Sequence, residues 1–91
     1  MTSMSKHVSR ASRWSRHGPN EHRASVGRVY FRAGSWHAAV AYQLPPQEGE
    51  PRPVPQSWDV ANFKRARNAM IAVEDKAREL QRRHGDGVVF L

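Results

Sequence analysis

The sequence predicts an α+β fold: a small antiparallel three-stranded sheet packed on one C-terminal α-helix, in the order β-β-β-α, behind a flexible basic N-terminal arm. Three observations predict it. Apolar and polar residues alternate with period two from Gly27 to Leu44, prolines crowd residues 45–55, and apolar residues recur every three or four positions from Phe63 to Leu80. A chain of 91 residues has room for one such domain with a thin core, here residues 27–91, with the arm at 1–26.

In the arm, Lys6, Arg10, Arg13, Arg16 and Arg23 stand against Glu21 alone, and the apolar residues are scattered. Such a segment cannot build a core of its own and reads as solvated chain with a turn at Gly18-Pro19. Arg10, Arg13 and Arg16 recur every third residue, so they would line one side of a helix, close to Trp14, if the arm ordered on a partner.

The alternating stretch predicts a hairpin over residues 28–44. A two-residue type II′ turn at Gly34-Ser35 pairs Ala33 with Trp36, Phe31 with Ala38 and Val29 with Val40. One face then carries Val29, Phe31, Ala33, Trp36, Ala38, Val40, Tyr42 and Leu44. The other carries Arg28, Tyr30, Arg32, His37, Ala39, Ala41 and Gln43.

Residues 45–55 contain five of the six prolines and read as a loop, since each proline removes a ladder donor. Val54 to Trp58 predicts a short edge strand, where proline is tolerated. The helix is expected from about residue 59 to 84, capped by Asp59 or Asn62, with Phe63, Ala66, Met70, Val73, Ala77 and Leu80 as its apolar stripe. The apolar hairpin face is the one partner large enough for that stripe. Gly85 is placed for a left-handed C-cap, and Glu74 with Arg78 and Glu79 with Arg83 form i,i+4 pairs in the favoured order. The apolar end of residues 86–91 is expected to fold back on the edge of the core as a tail or extra strand.

Fifteen Lys and Arg against eight Asp and Glu leave a net charge of +7, which attracts polyanions, nucleic acid foremost, and is shared with ribosomal proteins, basic tails and some membrane-surface proteins. The absence of cysteine excludes disulfides, thiolate metal sites and thiol nucleophiles, and fits a reducing, cytoplasmic setting. No stretch has the apolar length of a membrane span or of a secretory signal, so no membrane partner is expected. The histidines His7, His17, His22, His37 and His84 match no zinc spacing, and there is neither a nucleophile elbow nor a Gly-rich phosphate loop. The expected protein is therefore not an enzyme and uses no metal or cofactor.

Function then rests on a surface. With the helix on one side of the sheet, Arg28, Tyr30, Arg32 and His37 are left on the other, joined by Arg10, Arg13 and Arg16 of the arm and by Lys64, Arg65 and Arg67 at the helix start. Arginines bind guanine edges bidentately or clamp phosphates, Tyr and His bond phosphate or stack on sugars, and small residues such as Ala39 and Ala41 admit a close backbone. These ten residues are the candidate nucleic-acid interface, for duplex DNA in preference to RNA. Two other readings stay open. Arg and Tyr also make a good exposed strand face with no ligand, and a protein-interaction or inhibitor module, as a monomer or a homodimer, would meet an acidic partner protein with its open sheet or its Ile71 side.

The order of hairpin, third strand and helix, with GRVYFRAGSW, an aromatic-alanine strand and Phe63 before an alanine-containing helix, resembles two groups of DNA-binding domain. They are the plant ethylene-response-factor type and the amino-terminal arm-site-binding domain of phage-type tyrosine recombinases. The resemblance covers roughly residues 27–80 and implies a three-stranded sheet, backed by one helix, that reads DNA with its open face. It places Arg28, Tyr30, Arg32 and His37 where such domains contact DNA. The chain differs at the helix start, which has Lys64-Arg65-Ala66 in place of threonine and paired glutamates, and in its long Pro-rich loop. The run FKRARNAMIA, residues 63–72, is similar to the final helix of double-stranded RNA-binding domains, which implies phosphate contacts at the helix start.

Overall fold

A computed structural model describes residues 13–46, 48–49 and 51–91. The strands are β1 (Ser15–Arg16), β2 (Glu21–Ala24), β3 (Gly27–Arg32), β4 (Ser35–Leu44) and β5 (Val54–Phe63). They are followed by helix α1 (Ala66–His84), a 3-10 turn (Gly85–Gly87) and β6 (Val89–Phe90). All pairings are antiparallel, in the spatial order β1-β2-β3-β4-β5, and β6 joins β4. The α+β class and the single C-terminal helix are as expected, but the sheet has more than three strands.

Two of the added strands lie in the segment expected to be a flexible arm. A turn at Gly18 to Asn20, with Gly18 at φ 121, folds β1 onto β2, and β2 pairs with β3 from Glu21↔Tyr30 to Ala24↔Gly27. Val26 is buried in the core, and Trp14 packs against it while donating from Nε1 to Glu74 Oε2 at 2.8 Å. This hairpin has almost no apolar period of its own. The outer edge of β3 supplies its hydrogen-bond partners, which local patterning does not reveal. Residues 1–12, including Arg10, lie outside the described residues.

The β3–β4 hairpin also departs from expectation. Its two-residue loop is Ala33-Gly34, at φ 53 and φ 84, the paired positive angles that a type I′ turn requires, and Arg32 stands opposite Ser35. The type II′ turn at Gly34-Ser35 and its pairs are therefore replaced by a register two residues away, Val29↔Ala38 and Phe31↔Trp36. Aromatic pairing accounts for the choice. It sets Phe31 edge-on to Trp36, 5.6 Å between centroids, and stacks Tyr30 on His37 at 4.8 Å, contacts that the other register replaces with alanines. Because the shift is even, each side chain keeps the face it was assigned.

β5 is twice the expected length and runs through Asp59 and Asn62, so neither residue caps the helix. Its register slips by one between Trp36↔Phe63 and Ala38↔Val60, and the extra residue falls at Asn62, left-handed at φ 78. This bulge turns Phe63 back to the core side. Helix α1 accordingly starts at Ala66, with Arg65 extended at the N-cap, no side-chain cap and no acid in the first turn.

The core is thin. Val29, Ala38 and Val40 of the sheet meet Ala69, Val73, Ala77 and Leu80 of α1, with Val26 and Val88 at its margins, and the largest wholly buried side chains are valines. Ala69 belongs to the helix stripe and Phe63 does not. The small residues let α1 lie close over β3 and β4 while touching β5 little. At Gly27 the approach is closest: a Cβ there would stand 2.6 Å from the Ala39 carbonyl oxygen and 2.7 Å from Val73 Cγ1. Gly85 takes a positive φ of 63 at the helix end, as expected. β6 then occupies the edge of β4 beyond β3, through Gln43↔Val89 and Tyr42↔Phe90. Arg83 pairs with Glu79, whereas Arg78 pairs with Asp75, because Glu74 is taken by Trp14.

Candidate nucleic-acid interface

With α1 on one side, the opposite side of the sheet is left open among the described residues. Strand pairing arranges its side chains in transverse rows: Ser15, Arg23, Arg28, Ala39 and Asp59 across β1 to β5, and Glu21, Tyr30 and His37 beside it. Arg32 and Ser35 form a third row at the hairpin turn.

The second row is built as a stack. The guanidinium carbon of Arg28 lies 4.6 Å from the centroid of Tyr30, whose ring lies on His37 with an interplanar angle of 12°. Cation–π attraction and ring packing thus hold the three polar side chains against one another. Asp59 anchors the stack by accepting from the Tyr30 hydroxyl at 2.7 Å, and its Oδ1 lies 3.5 Å from His37 Nδ1. Ala39 makes this reach possible, because a larger residue between Arg28 and Asp59 would block it. The Tyr30 hydroxyl titrates above the ordinary phenol value, since ionisation would lose the bond to Asp59, in a partly buried place and next to a carboxylate.

A second carboxylate, Glu21, accepts from Arg23 Nε at 2.7 Å and lies 3.6 Å from Arg28 Nη1. The hydrogen bond from Arg23 and the charges of both arginines hold its carboxyl below the ordinary range, against the opposing effect of burial. Arg32 makes no ion pair among the described residues. A trough of about 420 Å³ runs over Ala39 and Ala41, walled by Arg23 and Arg28 on one side and by Ser57 and Asp59 on the other.

Of the residues expected at the interface, Arg28, Tyr30, Arg32 and His37 share this face. Lys64 and Arg65 lie in the connection between β5 and α1, and Arg67 in the first turn of the helix, all exposed. Phe63↔Trp36 pairing puts that connection at the hairpin-turn end of the sheet, the end that carries Arg32. Arg16 lies elsewhere: it pairs with His22, whose own partner is the buried Val29, so it belongs to the helix side. Arg13 is exposed just before β1, and the helix suggested for Arg10, Arg13 and Arg16 does not include Arg16, which is in a strand.

Arg23, Glu21 and Asp59 were not expected on this face. The one local signal for the first two is the alternation of Glu21 and Arg23 with His22 and Ala24, too short to recognise without β3 beside it. Asp59 reads as a helix cap until the strand is seen to pass through it. Among the described residues no three His, Asp or Glu side chains are grouped to hold a metal ion, and no helix is long and apolar enough to cross a membrane. The chain matches no protein-family model, no curated protein and no solved structure.

Proposed function

We propose that the chain is a non-enzymatic nucleic-acid-binding domain that lays the open face of its sheet against double-stranded DNA. The observation that carries the reading is the collection of Arg23, Arg28, Arg32, Tyr30 and His37 on the one sheet face that α1 leaves bare. Strands stand about 4.8 Å apart, so β2 to β4 form a strip roughly 10 Å across, comparable with a major groove about 12 Å wide. The whole sheet is wider than that, so β3 and β4 would enter the groove with β2 along one phosphate wall. Arg32 and the Lys64-Arg65 connection, at one end of the sheet, would follow the backbone. The resemblance to the three-stranded-sheet DNA-binding domains named above implies contacts through the same face.

Duplex RNA fits less well. Its major groove is deep and narrow, and the helix that a double-stranded RNA-binding domain places before its sheet is absent among the described residues, where 15–16 and 21–24 are strands. One observation favours a protein partner instead: among the described residues the outer edge of β5 is unpaired, and Val60 of that strand is 38% exposed.

Fluorescence anisotropy with a labelled random duplex tests the proposal. Wild-type protein should lose about 0.9 log units of affinity per log unit of salt for each phosphate contacted. Arg28→Ala with Arg32→Ala should weaken binding and lower that slope by up to ~1.8 while the protein still melts cooperatively. Unchanged affinity in that variant, or no duplex binding by the wild type at low salt, refutes the reading.

A further inference from the structure

We propose that Arg23 and Arg28 form a clamp for one DNA phosphate, and that Glu21 is the resident counter-anion which the phosphate displaces. This inference rests on the open-face reading above. It starts from an arrangement that is unfavourable by itself. Arg23 and Arg28 are direct partners across β2 and β3 on the same face, and like charges so placed repel. What offsets the repulsion is one carboxylate, two residues along β2, that contacts both guanidinium groups. Glu21 therefore already does the work of a bound anion, consistent with the direction in which its carboxyl titrates.

The site is also open and held ready. The two arginine side chains are 54% and 51% exposed. Glu21 takes only Nε of Arg23, so the terminal donors of that guanidinium have no protein acceptor among the described residues. The Arg28 guanidinium sits over the ring of Tyr30, which is fixed in turn by His37 and Asp59, so it loses little freedom on meeting a planar or tetrahedral oxyanion. Beside the pair lies the trough over Ala39 and Ala41, where the methyl groups let a sugar–phosphate backbone approach. Its far wall carries Asp59, which repels a phosphate and so directs it to the arginine side. Neither a membrane surface nor a small metabolite is needed to explain these features, and a phosphodiester fits the paired guanidinium groups.

Glu21 then competes with DNA, so removing its charge should tighten binding. Titration of a labelled random duplex should give a dissociation constant for Glu21→Gln roughly two- to fivefold lower than wild type, the range set by loss of one exposed ion pair. In an Arg23→Ala, Arg28→Ala background the same substitution should have no effect. Asp75→Asn, which removes an equal charge on the outer side of α1, should change affinity less than Glu21→Gln. In the wild-type protein, the Arg23 and Arg28 Nε–Hε resonances should both move as duplex is added, a readout that needs no variant to fold. The clamp is overturned if Glu21→Gln binds no tighter than wild type, if it tightens binding equally without the two arginines, or if Arg32 shifts while Arg23 and Arg28 do not. In each of those cases duplex binding persists and the open-face reading survives; if neither wild type nor Glu21→Gln binds duplex, that reading itself fails.

Discussion

Gly27→Ala is the substitution whose effect the structure determines most sharply, because its sign runs against intrinsic preference. In a strand, alanine is ordinarily more favourable than glycine by about 0.5–1 kcal/mol. Gly27 has no positive φ that would call for glycine. The added methyl would nevertheless stand 2.6 Å from the Ala39 carbonyl oxygen, 2.7 Å from Val73 Cγ1 and 3.2 Å from Val40 Cγ2. None of these can step aside easily. The carbonyl belongs to the β4 backbone, and Val73 is wholly buried and β-branched in a helix, where one rotamer dominates. Relief requires α1 to lift from the sheet and β3 to shift against β4, so the overpacking should cost about 1–3 kcal/mol. For a domain of this size each kcal/mol lowers the melting temperature by roughly 4–8 °C. Thermal unfolding followed by circular dichroism should therefore show Gly27→Ala melting well below wild type. Combined with Val73→Ala, its effect should be smaller than the sum of the two single effects, since Val73 is half of the clash. A melting temperature equal to or above that of wild type would refute the close approach of α1 to β3.

Three further outcomes are expected. Ala33→Asn creates the Asn-Gly pair that a type I′ turn favours and relieves an alanine at φ 53, so it should stabilise by about 0.5–1 kcal/mol in chemical denaturation; a turn at Gly34-Ser35 would show no such gain. Trp14→Phe removes the 2.8 Å bond to Glu74 that ties the residues before β1 to the helix. It should cost about 1 kcal/mol and increase tryptic cleavage after Arg16 and Arg23, while unchanged melting and cleavage would mean that the β1–β2 hairpin is not docked. Finally, the phenol of Tyr30 is held protonated, so its contribution to stability is complete below its ordinary value of 10.0 and is lost as pH rises through the higher folded value. In a Tyr42→Phe background the tyrosinate absorbance should titrate above 10.0, and Asp59→Asn should bring the midpoint down.

The clearest lesson about legibility concerns the hairpin. The turn and register expected for residues 28–44 are both displaced, yet Arg28, Tyr30, Arg32 and His37 are on the predicted face. Period-two alternation specifies which side a residue occupies, and an error of two residues preserves it. The helix over Val73, Ala77 and Leu80 was legible for the same reason, while its start was not. Asp59 and Asn62 are good caps in isolation, but pairing with β4 continues the strand through both and the bulge at Asn62 postpones the helix to Ala66.

By itself, then, the sequence determined the α+β class, the net charge, the two faces of β3 and β4, and the stripe by which α1 covers one of them, all properties written in neighbouring residues. Only the tertiary structure decided the number of strands and the make-up of the open face. β1 and β2 are short and polar, and exist because β3 offers an unpaired edge. That pairing brings Glu21 and Arg23 to Arg28, and the length of β5 brings Asp59 to Tyr30. These contacts depend on which backbone lies beside which, and no local period encodes that choice.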